Sequence, residues 1–128
     1  MTDRVRHAAC RCGQVRIACS REPIRVSVCH CRECKARSGS AFAAQVRFPA
    51  EQVRIEGEAK MWQYTGDSGN VADFFFCGTC GSGVWYRARP YHEAYAVPLG
   101  IFEPGHGFVA DYSGFEDRKE PWVSITGD

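Results

Sequence analysis

Seven of the eight cysteines fall in three tight clusters: Cys10-Arg11-Cys12-Gly13, Cys29-His30-Cys31-Arg32-Glu33-Cys34 and Cys77-Gly78-Thr79-Cys80-Gly81. Three thiols within six residues are awkward to pair as disulfides, but they suit a single metal ion. A disulfide framework would spread its cysteines along the chain and would need an oxidising compartment. Cys77 to Gly81 has the form of a zinc knuckle, in which glycine lets the turn aim backbone amides at the thiolates. All-thiolate ligation favours zinc, with iron–sulfur as a distant second.

The clusters divide unequally. Cys10 and Cys12 with Cys77 and Cys80 supply four ligands, the closed shell of a structural zinc. Such a site would clamp the start of the chain to its later half, so binding there would be largely folding free energy. Cys29, Cys31 and Cys34 remain as three thiolates with no fourth partner nearby. Three protein ligands and one open position are the pattern of a catalytic zinc. Two other allocations stay open. A single ion could take Cys29 and Cys31, or Cys31 and Cys34, together with Cys77 and Cys80. Alternatively His7, His30, His92 or His106 could close the second site, although His30 stands between two ligands and is expected to point elsewhere. Cys19 alternates with Val15 and Ile17 and reads as a small buried hydrophobe.

Three thiolates leave a zinc site formally at −1, a weak Lewis acid for ionising water. The same site readily accepts a fourth ligand that is itself sulfur, and a zinc-bound thiol stays ionised at neutral pH. The chemistry implied is formation or cleavage of a carbon–sulfur bond on a thiol. Arg32, Arg37 and Arg47 are candidates to neutralise a carboxylate on that thiol. Ser38-Gly39-Ser40 is expected to form a loop beside the open metal. His92 and His106 are candidate acid–base groups, more simply read as surface histidines.

These residues must be carried by short elements. The chain has 128 residues, 45% hydrophobic and 24% charged, which fits one globular domain spanning 1–128. Glycines and prolines punctuate it at short intervals. Between them, Val15 to Cys19, Val53 to Glu56, Val71 to Phe76, Val84 to Tyr86, Ala94 to Val97 and Trp122 to Ile125 read as strands. Trp62 and Tyr64 alternate on another strand, as a half-buried sheet face. The only helical pattern is a short turn over Cys31 to Ser38. The expected class is therefore mainly β and antiparallel, with a thin core stapled by metal. Phe42, Phe48, Phe74, Phe75, Phe76 and Trp85 are expected in that core.

No apolar run approaches the length of a membrane span, and the first residues show no secretory signal, so the expected address is cytoplasmic. The net charge is +1, but residues 1–40 carry +6 and the remainder −5. Arg4, Arg6, Arg16 and Arg25 are expected on the wet faces of strands. Without a lysine-rich tail or a basic run, nucleic-acid binding is the weaker reading. It survives as the alternative: a non-catalytic, zinc-stabilised module for nucleic acid or protein.

The ordered set Cys10-x-Cys12-Gly13, Cys29-His30-Cys31-x-x-Cys34, Ser38-Gly39-Ser40-Ala41-Phe42, Cys77-x-x-Cys80-Gly81 and Pro121-Trp122 resembles the glutathione-dependent formaldehyde-activating enzyme family, also called the centromere-protein-V or GFA domain. The resemblance runs from about residue 7 to 125. It implies an Mss4-like fold, with β-sheets in a tent around two zinc ions. It also implies a structural zinc at Cys10, Cys12, Cys77 and Cys80 and a catalytic zinc at Cys29, Cys31 and Cys34. The implied activity is a carbon–sulfur lyase that interconverts S-(hydroxymethyl)glutathione with glutathione and formaldehyde. The implied partners are thus a small thiol and an aldehyde.

Overall fold

The computed structural model describes residues 4–66, 69–88 and 93–126. Its strands in chain order are β1 (Val5–Ala9), β2 (Arg16–Ser20) and β3 (Arg25–Cys29), then helix α1 (Arg32–Ser38). There follow β4 (Ala43–Pro49), β5 (Val53–Glu56), β6 (Ala59–Thr65), β7 (Val71–Cys77), β8 (Gly83–Ala88), β9 (Ala94–Pro98) and β10 (Tyr112–Gly114). The class is mainly β, as the spacing of turn residues implied.

The strands form a small sheet, β1-β2-β5, and a seven-stranded sheet, β10-β3-β4-β9-β8-β7-β6. All pairings are antiparallel except that of β10, which runs parallel to β3, with Tyr112 opposite Ser27 and Gly114 opposite Cys29. The sheets are thus mainly antiparallel, as expected, with one parallel pairing. β10 reaches β3 from the far end of the chain rather than through a hairpin, so nothing forces it to reverse direction.

The core lies where the two sheets face each other. β2 contributes Ile17 and Cys19 just after Val15, and the larger sheet contributes Val26, Val46, Phe48, Val84 and Val97. Cys19 is fully buried, and burial pushes its thiol up to about 12 while Arg6 pulls the other way. It behaves as a hydrophobe.

Two expectations are corrected here. Trp122 to Ile125 forms no strand. Pro121 sits in a turn closed by the Val123 amide on the Glu120 carbonyl, and Val123 is buried while Ile125 is half-buried and Trp122 stays exposed. Arg6 is not on a wet face but buried. Its guanidinium lies over Phe108, donates to the carbonyls of His106 and Arg21, and stands 3.6 Å from Glu22. These partners are distant in sequence, so no local pattern announces them.

Candidate metal centres and the adjoining cleft

Two hairpin ends build the four-cysteine cluster. After β1, the Cys10 amide donates to the Val15 carbonyl and the Gly13 amide to the Cys10 carbonyl. After β7, the Gly81 amide closes on the Cys77 carbonyl, with Gly81 at φ +82°, a conformation that glycine takes without strain. The Sγ atoms of Cys10, Cys12, Cys77 and Cys80 all lie within 4.8 Å of one another. Cys12 Sγ is 3.7 Å from both Cys10 Sγ and Cys77 Sγ. A tetrahedron with zinc–sulfur bonds of about 2.3 Å has edges of about 3.8 Å, so the donor set fits zinc. Backbone amides point at the sulfurs: Val15 N–H at Cys10 Sγ, 3.2 Å, and Thr79 N–H at Cys77 Sγ, 3.4 Å. The Ser82 hydroxyl and amide beside Cys80 hold its thiol down at about 5, in the thiolate form a metal requires.

The three-cysteine cluster is local. Cys29 ends β3, Cys31 is the N-cap of α1, and Cys34 lies one turn into that helix. Cys31 Sγ accepts the Cys34 amide, which gives the cap a thiolate acceptor. The helix closes at Gly39, left-handed at φ 65°, whose amide returns to the Lys35 carbonyl. The three Sγ atoms lie within 4.8 Å of one another, and among the described residues no fourth histidine, cysteine, aspartate or glutamate joins them. Burial, together with the neighbouring Cys29 and Cys31 thiols, pushes Cys34 up to about 12. Three crowded thiolates are thus unfavourable alone and call for a cation. The donor set fits zinc with a vacant fourth position.

His30 points away from this cluster. It is fully buried, with Nε2 3.0 Å from Ser113 Oγ and its ring tilted against Phe42. Its amide bonds the Gly114 carbonyl, so β10 grips the loop that holds the ligands. Just beyond β10, Glu120 pairs with Lys35 of α1 at 2.8 Å, and Lys35 also donates to the Arg118 carbonyl. Sequence reasoning missed this clamp. Residues 112–120 carry no motif, and their role depends on a pairing 83 to 85 positions away.

The cleft beside the cluster is aromatic. Cys34 and Arg37 line a cavity of about 470 Å³ with Trp62, Tyr64, Phe74 and Tyr86. A second cavity of about 740 Å³ shares Arg37, Trp62, Phe74 and Tyr86, and includes Ser38, Ser40 and Phe42. The loop after α1 therefore lines the cleft as expected. Arg37 lies over the rings of Phe74 and Tyr86, 5.0 and 4.9 Å from their centroids. Of the six residues expected in the core, only Phe48 is fully buried there. Phe42, Phe74, Phe75, Phe76 and Trp85 are half-buried and line the larger cavity, while Phe75 and Trp85 also pack against the core as expected. The β7–β8 register shifts between Phe75 and Phe76, which strand patterning alone does not reveal.

Of the other candidates, Arg32 is exposed and His7 is exposed. His106 stacks on Phe108 and accepts the Phe108 amide at Nδ1, beside Arg6 rather than beside the thiols. His92 lies outside the described residues.

Cysteine clusters of four and three on a β scaffold, one closed and one beside a cleft, are of the class whose donor sets fit zinc. The family model described as glutathione-dependent formaldehyde-activating enzyme matches residues 5–121. The chain belongs to that family. Among solved structures it is similar to a Rhodobacter sphaeroides protein determined as a Northeast Structural Genomics target. The identity is 25%, the TM-score 0.59, and the match covers 84% of this chain and 98% of that one. No curated protein matches the sequence.

Proposed function

We propose that the chain is a zinc-dependent carbon–sulfur lyase or adduct-forming enzyme for small thiols and aldehydes, of the S-(hydroxymethyl)glutathione type. The observation that carries this reading is the three-thiol cluster, which lacks a fourth donor among the described residues and has Cys34 on the wall of a cleft. Family membership supports the same general activity.

In this reading Cys10, Cys12, Cys77 and Cys80 hold a structural ion, and Cys29, Cys31 and Cys34 hold a catalytic one. A zinc ion at the second site would keep a substrate thiol ionised at neutral pH. The aromatic cleft would hold the adduct's carbon beside that sulfur, and much of the acceleration would come from this proximity. In the lyase direction the adduct's carbon–sulfur bond breaks, the hydroxyl proton leaves its oxygen, and a free thiol and an aldehyde result. The reverse direction forms the bond. His30 and Ser113 keep the ligand loop in shape, and the Ser38 hydroxyl ties the last turn of α1 by donating to the Cys34 carbonyl. Eight unpaired cysteines suit a reducing, cytoplasmic setting.

The alternative, a binding module that uses the basic N-terminal third, has less support, because Arg6 is buried in contacts within the fold. Metal analysis of reduced protein is expected to give two zinc ions per chain. Two-dimensional exchange NMR on formaldehyde and glutathione is expected to show faster exchange with the protein present. Exchange at the uncatalysed rate would remove this substrate pair. A second ion saturated by the polypeptide would remove the enzyme reading.

A further inference from the structure

One face of the large sheet carries a continuous row across six strands. Direct cross-strand partners share a face, and the register links Arg25 to Arg47, Arg47 to Ala96, Ala96 to Tyr86, Tyr86 to Phe74 and Phe74 to Trp62. Cys29 lies on this same face, four residues along β3 from Arg25. The cleft beside the thiols occupies the aromatic end of the row. At the other end lies a hollow of about 640 Å³ with Ala88, Ala94 and Ala96 on its floor and Arg25, Arg47 and Tyr86 around it. Tyr86 is a wall of this hollow and of both cavities near Cys34.

Two arginines placed directly opposite each other repel, and sheets ordinarily avoid this. Arg25 is partly accommodated by the ring of Tyr112, 4.6 Å from its guanidinium. Among the described residues, no carboxylate pairs with Arg47 or Arg25. A half-buried guanidinium without a counter-ion, beside a second one and over a small-residue floor, is arranged to take an oxyanion.

We infer that the hollow lined by Arg47 and Arg25 binds the anionic end of the substrate, so that the enzyme takes thiols carrying an apolar middle and a terminal carboxylate or phosphate. This rests on the reading of Cys29, Cys31 and Cys34 as the thiol site. About 13 Å of strand separates Cys29 from Arg25, and the length of an arginine side chain shortens that span. The substrate sulfur sits at the cysteines, its chain crosses Tyr86, and its anion lies in the hollow against Arg47, with Arg25 beyond it.

The test uses the protein as purified, with its metal content measured, and three probes: 6-mercaptohexanoate, 1-hexanethiol and hexanoate. Binding is read by calorimetry and by tryptophan fluorescence. 6-Mercaptohexanoate is expected to bind at least about tenfold more tightly than 1-hexanethiol, as a charge-assisted contact allows. That ratio should fall towards one in Arg47→Leu and be partly restored in Arg47→Lys. It should also shrink as salt is raised. 6-Phosphonohexane-1-thiol in place of the carboxylate probe tells which oxyanion is preferred. Equal binding of the two thiols to the unaltered protein overturns the anion site while leaving the thiol site standing. Equal weakening of both thiols by Arg47→Leu also overturns it, since the arginine would then be only structural. Binding of hexanoate that depends on Arg47, with no contribution from the thiol, keeps the anion hollow and removes the thiol reading. No binding of any probe removes both.

Discussion

The two cysteine clusters are made from the same ligand type and differ in where their residues come from. Cys10 and Cys12 meet Cys77 and Cys80 only after the hairpin ends of two sheets have been brought together. Cys29, Cys31 and Cys34 are placed by one strand end and the first turn of one helix. An ion in the first cluster joins distant parts of the chain, so its binding energy appears as fold stability. An ion in the second joins residues that are already neighbours, so the fold needs it far less. On the proposed function, the closed cluster is a staple and the open one a reaction site.

The sharpest way to break this contrast is to remove one ligand from each cluster. Cys77→Ser is expected to leave the chain largely unfolded under ordinary conditions. Structural zinc sites bind with about 10–16 kcal/mol, against a typical total domain stability of about 5–15 kcal/mol. Thermal unfolding followed by circular dichroism checks it, and chelation of the unaltered protein should give the same loss. A folded Cys77→Ser protein with a near-normal melting temperature would remove the staple.

A smaller loss is expected at Gly57, where the chain passes from β5 in the small sheet to β6 in the large one. Gly57 has φ +97°, and a Cβ there would come 2.0 Å from the Gln14 carbonyl oxygen. The Gln14 side chain brackets Glu58, accepting its amide at 2.7 Å and donating to its carbonyl at 3.0 Å. It also reaches 3.7 Å from Cys77 Sγ. Gly57→Ala forces a strained backbone against this support and should cost about 2–3 kcal/mol, a fall of roughly 10 °C in Tm. Because the strain falls beside the closed cluster, metal analysis should show the structural zinc held more weakly and the second zinc unaffected.

Cys31→Ser should behave differently from both. One zinc equivalent is lost, and catalysed thiol–aldehyde exchange falls to the background rate. The melting temperature should fall by a few degrees at most, because serine is itself a good N-cap and keeps the first turn of α1 closed. Wholesale unfolding would show that the open cluster is structural after all and would erase the distinction between the two.

This pair of clusters was largely legible in the sequence, because metal ligation imposes spacing that survives without knowledge of the fold. Cys-x-x-Cys-Gly is a local geometry, and so is an N-cap thiol followed three residues later by another. The strands around Ile17, Ile55 and Val97 were equally readable from alternation. What could not be read depends on pairings far apart in the chain. The burial of Arg6, the grip of Ser113 on His30 and the parallel arrival of β10 leave no local trace. The aromatic residues misled for a related reason. Phe74 and Phe76 carry the same strand signature whether their sheet face is covered or lines a cleft, and only the packing of the whole chain decides it. The row from Arg25 to Trp62 is likewise a product of register, and it is continuous only because β4 lies beside β9, a pairing that sequence order does not suggest.

That row permits a last and smallest contrast, between stability and binding at one residue. If Arg47 is present for an anion, it works against the fold when the anion is absent, since it faces Arg25 directly. Arg47→Leu should then raise the stability of the ligand-free protein by about 0.2–1 kcal/mol, a shift of a few degrees at most. The gain should be largest at low ionic strength and fade as salt screens the pair. Arg25→Leu should gain less, because it also gives up the contact of the guanidinium with the Tyr112 ring. An Arg47→Leu protein that melts lower than the original, independently of salt, would mean that the aliphatic stem of Arg47 packs as part of the scaffold. The repulsion across β3 and β4 would then no longer point to a missing counter-ion.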